Sequence, residues 1–286
     1  MRTRFTELVG CELPLQLATL GGVGTTELAA AVASSGGLGM VPGGVDLPAC
    51  SGNEAAGAGF LMPFEPSRDV VADAARRARV VEFFYGAPST DLVRTVHDAG
   101  ALCAWQVGSP EEAMAAEAAG CDLVVAQGRE AGGHVRGTTP LRLLLPAVLG
   151  RVTIPMVAAG GVATAESVAE LLVQGAAAVR IGTRFAACEE SAAHPDYVAA
   201  LIAARSAADT VLTTHFGEGW PDAPHRVLRV ALEKAERSGN RGVGPPSRYE
   251  PGDVSDRAMY AGEGVAAITQ VSSARDVVRE LVRLLD

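Results

Sequence analysis

Cysteine is sparse in this chain of 286 residues. The five cysteines (Cys11, Cys50, Cys103, Cys121, Cys188) are scattered, with no CxxC pair and no metal-ligand spacing. An odd, dispersed set argues against a disulfide framework and against a structural metal, and fits a reducing cytoplasm. Long apolar runs are missing too: none approaches the ~20 residues that a membrane-spanning helix needs. The opening MRTRFTELVG has no apolar core of the kind a secretory signal carries, so a cytoplasmic location is expected. Positive charge is in deficit. Against 33 acidic residues stand 24 Lys and Arg, a formal net charge of −9, which disfavours nucleic acid and anionic membranes as partners. No dinucleotide-binding fingerprint is present.

What the chain does have is apolar content and glycine. Hydrophobic residues make up 48% and charged residues 20%, ordinary for a protein with a real core. The 33 glycines fall at the ends of apolar runs and read as loop chemistry. The length suits one large domain or two small ones, and single α/β barrels often fall in this range.

Eight short apolar runs read as buried strands: Leu13–Ala18, Gly37–Val41, Gly57–Met62, Val80–Phe84, Leu102–Val107, Leu123–Ala126, Met156–Ala159 and Val179–Ile181. Between them lie amphipathic stretches such as TTELAAAVASS, SRDVVADAARRA, SPEEAMAAEAAG and TAESVAELLVQG. Several of these begin with Ser or Thr, and some end in Gly, as helices do. Continuous apolar strands alternating with helices imply a parallel sheet covered by helices, and eight units point to an α/β fold of the closed (β/α)8 TIM-barrel type. An open doubly wound sheet is the alternative. The alternation breaks after Phe185. Residues 186–258 read as an inserted helical lid, with YVAALIAARSAA and HRVLRVALEKAERSG as helical segments and GNRGVGPPSRYEPGD as a loop. Residues 1–185 and 259–286 would then form the barrel, SARDVVRELVRLLD being its eighth helix.

In such a barrel, function gathers at the C-terminal ends of the strands. The turns there are rich in glycine: ATLGGVGT after the first strand, QGREAGGHVRG after the sixth, AAGGVAT after the seventh, IGTRF after the eighth. Gly160, Gly161, Gly182 and Thr183 lie at the two positions where barrels bind phosphate, and bare backbone amides there suit an anion. Tight-turn geometry is the alternative for either turn alone. His134 stands by itself on a bare loop, with Gln127 and Glu130 upstream.

The stretches VVAQGREAGGHVRG and IPMVAAGGVATAESVAELLVQGAAAVRIGTRFAACEES resemble the nitronate monooxygenase family, formerly called 2-nitropropane dioxygenases. The likeness extends upstream to LPLQLATLGGVGTTELAAAVASSGGLGMV and WQVGSPEEAMAAEAAGCDLVVAQG, and downstream to DTVLTTHF, HRVLR and MYAGEGVAAI, so it covers nearly the whole chain. It implies an FMN-dependent (β/α)8 oxidoreductase taking a small-molecule substrate, a nitronate or another electron donor, together with O2; the assembly considered is a homodimer. Residue by residue, it implies that Gly160, Gly161, Gly182 and Thr183 hold the FMN phosphate. Gln106, Gln127 and Gly133 would lie against the flavin, and Ala18, Thr19 and Leu20 under its ring. It makes His134 the active-site histidine and puts Tyr260 near the pocket.

An imidazole with an ordinary pKa near 6.5 can act as base or cation at neutral pH. Neutral His134 could take a carbon-bound proton from a nitroalkane; a cationic or hydrogen-bonding His134 could orient a nitronate. A structural hydrogen bond in the loop is the alternative. Glu130 reads either as the group that orients His134 or as a solvated loop acid, and Arg184 as a phosphate clamp or a partner of Glu189 or Glu190. Trp105 faces away from the barrel interior, and His97, His194, His215 and His225 read as structural or exposed.

The sequence departs from the family in two places. Ala18-Thr19-Leu20 stands where the family usually has Ala-Pro-Met, and Gly59-Phe60-Leu61 where it often has an Asn. Two further functions stay open on the same scaffold: an NAD(P)H-quinone or enoyl-acyl-carrier-protein reductase, and a flavin-binding protein without turnover.

Overall fold

The computed structural model describes residues 1–285. After a short first helix, α1 (Arg4–Val9), strands and helices alternate: β1 (Leu15–Leu17), α2 (Thr26–Ser34), β2 (Leu38–Pro42), β3 (Ala55–Leu61), α3 (Arg68–Arg77), β4 (Val80–Phe84), α4 (Thr90–Asp98), β5 (Leu102–Val107), α5 (Pro110–Ala118) and β6 (Leu123–Gln127). A two-residue strand, β7 (Gly133–His134), precedes α6 (Leu141–Leu149), β8 (Met156–Ala159), α7 (Ala165–Val173), β9 (Ala178–Ile181) and α8 (Thr183–Ala186). The eight long runs close into a parallel barrel in the order β1-β2-β3-β4-β5-β6-β8-β9, with β9 returning to β1 through Leu15↔Val179 and Leu17↔Ile181. The closed TIM barrel read from the sequence is the observed fold. Among the described residues no helix is long and apolar enough to cross a membrane.

The helices start where the sequence places a hydroxyl. Thr25, Ser67, Ser89, Ser109, Thr164 and Ser273 each accept the amide three residues on, satisfying a donor that the first turn leaves without a partner. One glycine is a packing necessity. A Cβ on Gly39 would come within 2.1 Å of the Ala29 carbonyl oxygen, so β2 and α2 meet at that distance only because the side chain is absent.

Four polar residues interrupt otherwise apolar strands, and the structure brings them together. Gln16 Nε2 donates to Glu82 Oε2 at 2.9 Å. The Arg180 guanidinium reaches Glu82 Oε1 at 2.5 Å and Gln106 Oε1 at 2.6 Å. These bonds join β1, β4, β5 and β9, strands that are mostly not neighbours, so they cross the barrel interior. Glu82 is 2% exposed and Arg180 8%. A buried ion pair of this kind holds because each charge faces the other and further hydrogen bonds complete the set.

Beyond α8 the chain builds the insertion: α9 (Pro195–Ala203), β10 (Thr210–Thr213), β11 (His225–Leu228) and α10 (Arg229–Ser238). Two helices were expected, and two are there. The strands were not expected. HRVL, read as the start of a helix, is β11: all four of its residues are buried, and it is paired on both sides. The helix begins only at Arg229. The sheet order is β10-β11-β7, with His225 opposite His134 and Arg226 opposite Gly133. The insertion is therefore laddered to the loop that carries His134. The chain then returns to the barrel, where α11 (Ala274–Leu281) packs on α2 and α7 in the place of an eighth barrel helix. Asp286, the last residue of the expected return, lies outside the described residues.

Candidate active site

A cavity of about 370 Å³ opens at the C-terminal ends of the barrel strands, under the insertion. The residues to which the family resemblance gives a site role all line it: Ala18, Thr19 and Leu20 after β1, Gln106 on β5, Gln127 on β6, Gly133 and His134 on β7, Gly160 and Gly161 after β8, Gly182 and Thr183 after β9, and Tyr260 on the returning chain. Ordinary barrel topology explains the convergence. Eight parallel strands end at one face, so turns far apart in sequence become neighbours.

On one side the wall is bare backbone. Gly160 (φ +116°) and Gly161 (φ +71°) adopt a conformation that side chains resist. A Cβ on Gly182 would meet Ala18 Cβ at 3.3 Å. The amides of Gly161, Gly182 and Thr183 have no acceptor among the described residues. Close backbone approach and free N–H groups together make a cradle for an anionic oxygen. Thr183 uses its hydroxyl otherwise, accepting the Gly262 amide at 3.0 Å.

On the other side stands His134, among aromatic rings. Its imidazole stacks on Trp220, with centroids 3.8 Å apart and planes 19° apart. His225 lies 5.1 Å away, Tyr260 5.6 Å and Tyr85 6.1 Å. Burial here, and secondarily the neighbouring His225, push the His134 pKa down to about 3. Burial thus favours the neutral imidazole at ordinary pH. Its Nε2 is buried and has no hydrogen-bond partner. Thr19 Oγ1, also in the cavity lining, is likewise buried and unpartnered. Buried polar atoms normally find a partner, so these two mark places where a bound molecule would complete the site.

The loop under His134 is held tightly. Gln127 Nε2 donates to the His134 carbonyl at 2.9 Å, and its Oε1 accepts the Arg136 amide at 3.2 Å. Arg136 Nε reaches Glu112 Oε1 at 2.6 Å, and its guanidinium lies 5.5 Å from the Tyr85 ring centroid. Gln127 thus spends both polar atoms on the loop.

Several expectations are corrected. Glu130 neither orients the imidazole nor sits in solvent: it accepts the Leu141 amide at 3.0 Å, capping α6, which has no capping side chain at Pro140. Arg184 is no phosphate clamp and does not pair with Glu189 or Glu190. It binds Glu280 and the Ala267 carbonyl, each at 2.5 Å, which ties α8 to α11. His225 is structural, as read, but its place beside His134 was not foreseen. Its Nδ1 faces the Ala223 carbonyl at 2.9 Å, which assigns the proton there, and its Nε2 accepts the Phe216 amide at 3.3 Å. Both ring nitrogens are used up in shaping the turn that carries Trp220. Sequence reading missed Trp220 and Arg180, both of which line the cavity. A lone polar residue in the apolar strand AVRI was the available sign for Arg180; the irregular connection around Trp220 offered none.

The nitronate monooxygenase family model matches residues 48–283, most of the chain. A nitronate monooxygenase from Pseudomonas aeruginosa is 31% identical over an alignment covering 100% of this chain and 99% of its own. A (3aS,4S,5R,7aS)-5-hydroxy-7a-methyl-1-oxo-octahydro-1H-indene-4-carboxyl-CoA dehydrogenase from Mycobacterium tuberculosis is 34% identical over 85% of this chain and 71% of its own. Among solved structures, FabK from Thermotoga maritima superposes with a TM-score of 0.81 at 27% identity, over 99% of this chain and 96% of that one. With its closed barrel, the histidine loop and the glycine turns at one face, the chain belongs to the nitronate monooxygenase family and is an oxidoreductase.

Proposed function

We propose that this enzyme binds FMN and oxidises small alkyl nitronates with O2. The residues fit that cofactor. Free amides at Gly161, Gly182 and Thr183 suit its phosphate. The unpartnered Thr19 hydroxyl suits a polar edge of its ring system. Gly59 keeps that hydroxyl's surroundings open, since a Cβ there would meet Thr19 Oγ1 at 2.3 Å. When bound, FMN supplies the electron-accepting ring and the reaction with O2.

The chain supplies placement. Burial disfavours a cationic His134 and weakens it as a base, so the imidazole orients a nitronate by donating one N–H. Gln127 fixes the backbone from which the ring projects. Trp220, Phe64, Phe84 and Tyr260 give the substrate an apolar chamber and keep water off the reacting atoms. The single observation that carries this reading is the neutral, unpartnered His134 imidazole in the wall of that chamber. Five free thiols support a reducing, cytoplasmic setting.

The test is His134→Ala. The variant should purify with wild-type flavin content and lose at least about a hundredfold in kcat/KM toward a nitronate, the usual scale for a positioned acid–base group. A colourless variant would show that His134 holds the cofactor instead. The second reading, an NAD(P)H-dependent reductase, draws support from the likeness to FabK and to the CoA dehydrogenase. Against it stand the missing dinucleotide fingerprint and the indole that fills the space over His134.

A further inference from the structure

The connection between β10 and β11 reaches over the barrel mouth and ends on Trp220. Its course is set by Gly217, by Gly219 at φ +77° and by Asp222 at φ +57°, a conformation that residues other than glycine seldom take. The Trp220 amide closes the turn onto the Gly217 carbonyl at 3.1 Å. His225 locks the turn from below through the Phe216 amide. The indole is 6% exposed. Three rings from outside its own turn pack on it: His134 at 3.8 Å, Tyr85 edge-on at 4.8 Å and Phe64 edge-on at 5.4 Å. Tyr85 and Phe64 follow β4 and β3. Trp220 therefore bridges the insertion to the opposite rim of the barrel and lies flat on the histidine.

This arrangement has a geometric consequence. A substrate atom served by His134 must come within about 3.5 Å of a ring nitrogen. One face of the ring is covered by the indole, and Nε2 is sealed from solvent. A chain attached to the reacting carbon can run along the cavity but not through Trp220, Tyr85 and Phe64. Trp220 stands on a turn whose flanking strands are paired, and Tyr85 and Phe64 back it from the ends of β4 and β3, so the three rings together form a stop.

We propose that Trp220 is the residue that covers His134 and limits the length of the substrate chain accepted there. The size limit rests on the reading that His134 meets the substrate; the cover does not.

Two variants and two measurements test this. Trp220→Ala removes the cover, and Trp220→Phe keeps a smaller ring in place. The first measurement is the rate at which diethyl pyrocarbonate transfers its ethoxycarbonyl group to His134, followed by mass spectrometry of the peptide that carries it. Exposed His97 is the internal reference. Modification of His134 should be slow in the wild type, about tenfold faster or more in Trp220→Ala, and intermediate in Trp220→Phe, with His97 unchanged. Equal His134 rates in the wild type and Trp220→Ala would overturn the cover. The second measurement is kcat/KM for a series of nitronates from ethyl to hexyl. In Trp220→Ala the hexyl-to-ethyl ratio should rise by roughly tenfold or more, the scale on which a pocket discriminates methylene groups. An unchanged ratio would overturn the size limit. If no nitronate is turned over by the wild type, the proposed function falls, and the modification rates still decide whether Trp220 is the cover.

Discussion

Gln127 and His134 are tied by a hydrogen bond from the Gln127 side-chain amide to the His134 carbonyl, 2.9 Å long, while the Gln127 oxygen takes the Arg136 amide two residues further on. One buried side chain at the end of β6 thus fixes both flanks of the histidine. Gln127→Leu strands a carbonyl and an amide. With each stranded buried group worth about 1–3 kcal/mol, the variant should lose about 2–6 kcal/mol in urea denaturation. It should also lose kcat more than flavin content, because the glycine turns lie elsewhere. Wild-type stability in this variant would mean that the loop is held by its other contacts.

The barrel interior offers a second test. Glu82→Gln leaves the Arg180 guanidinium with no opposing charge at a site where Glu82 is 2% exposed. Breaking one side of a buried pair costs about 3–5 kcal/mol, whereas replacing both sides with apolar groups is often neutral. The single variant should therefore be much less stable than the double variant Glu82→Leu, Arg180→Met. Equal melting of the two would contradict the pairing.

Acid stability should report on His134. Its pKa is lowered from 6.5 to about 3 in the folded chain. Below pH 6.5 the unfolded chain takes up a proton that the folded site refuses. The folded state therefore has its full stability above pH 6.5 and loses it progressively as pH falls toward 3. Because the unfolded imidazole is already half protonated at pH 6.5, the window from there to pH 4.5 amounts to about 2 kcal/mol. Between pH 6.5 and pH 4.5, His134→Phe, which keeps a ring against Trp220, should lose about 2 kcal/mol less than the wild type in urea denaturation. Parallel pH profiles for the two would show that the ring is not shielded.

The anion cradle is testable by colour. Gly182→Asp puts a carboxylate where even an added Cβ would meet Ala18 Cβ at 3.3 Å and where free amides gather. The variant should fold and purify without flavin, read by absorbance near 450 nm. Normal flavin content would place the phosphate elsewhere.

Much of the fold was legible because period and punctuation agreed. Each of the eight barrel strands is a short apolar run, and Ser or Thr stands at the start of most of the helices between them. The site was legible in part for the same reason, since glycine turns and a lone histidine fall at strand ends. The insertion was not. HRVL runs without a break into an amphipathic helix, and only its pairing with β10 and β7, a long-range fact, makes it a strand. Two-residue β7 is too short to leave a pattern. Trp220 sits in an irregular connection where no periodicity says which way a side chain points. The Gln16–Glu82–Arg180–Gln106 network left a trace, one polar residue in each of four apolar strands, but which of them meet is decided by barrel closure.

The most direct measurement is the visible spectrum of the FMN-loaded protein under anaerobic conditions, with a small alkyl nitronate added to one sample and NADH to another. The proposed function predicts that the nitronate bleaches the flavin absorbance and NADH leaves it unchanged, and that His134→Ala keeps the colour but bleaches slowly. Bleaching by NADH alone would contradict it and move the enzyme to the reductases of its fold.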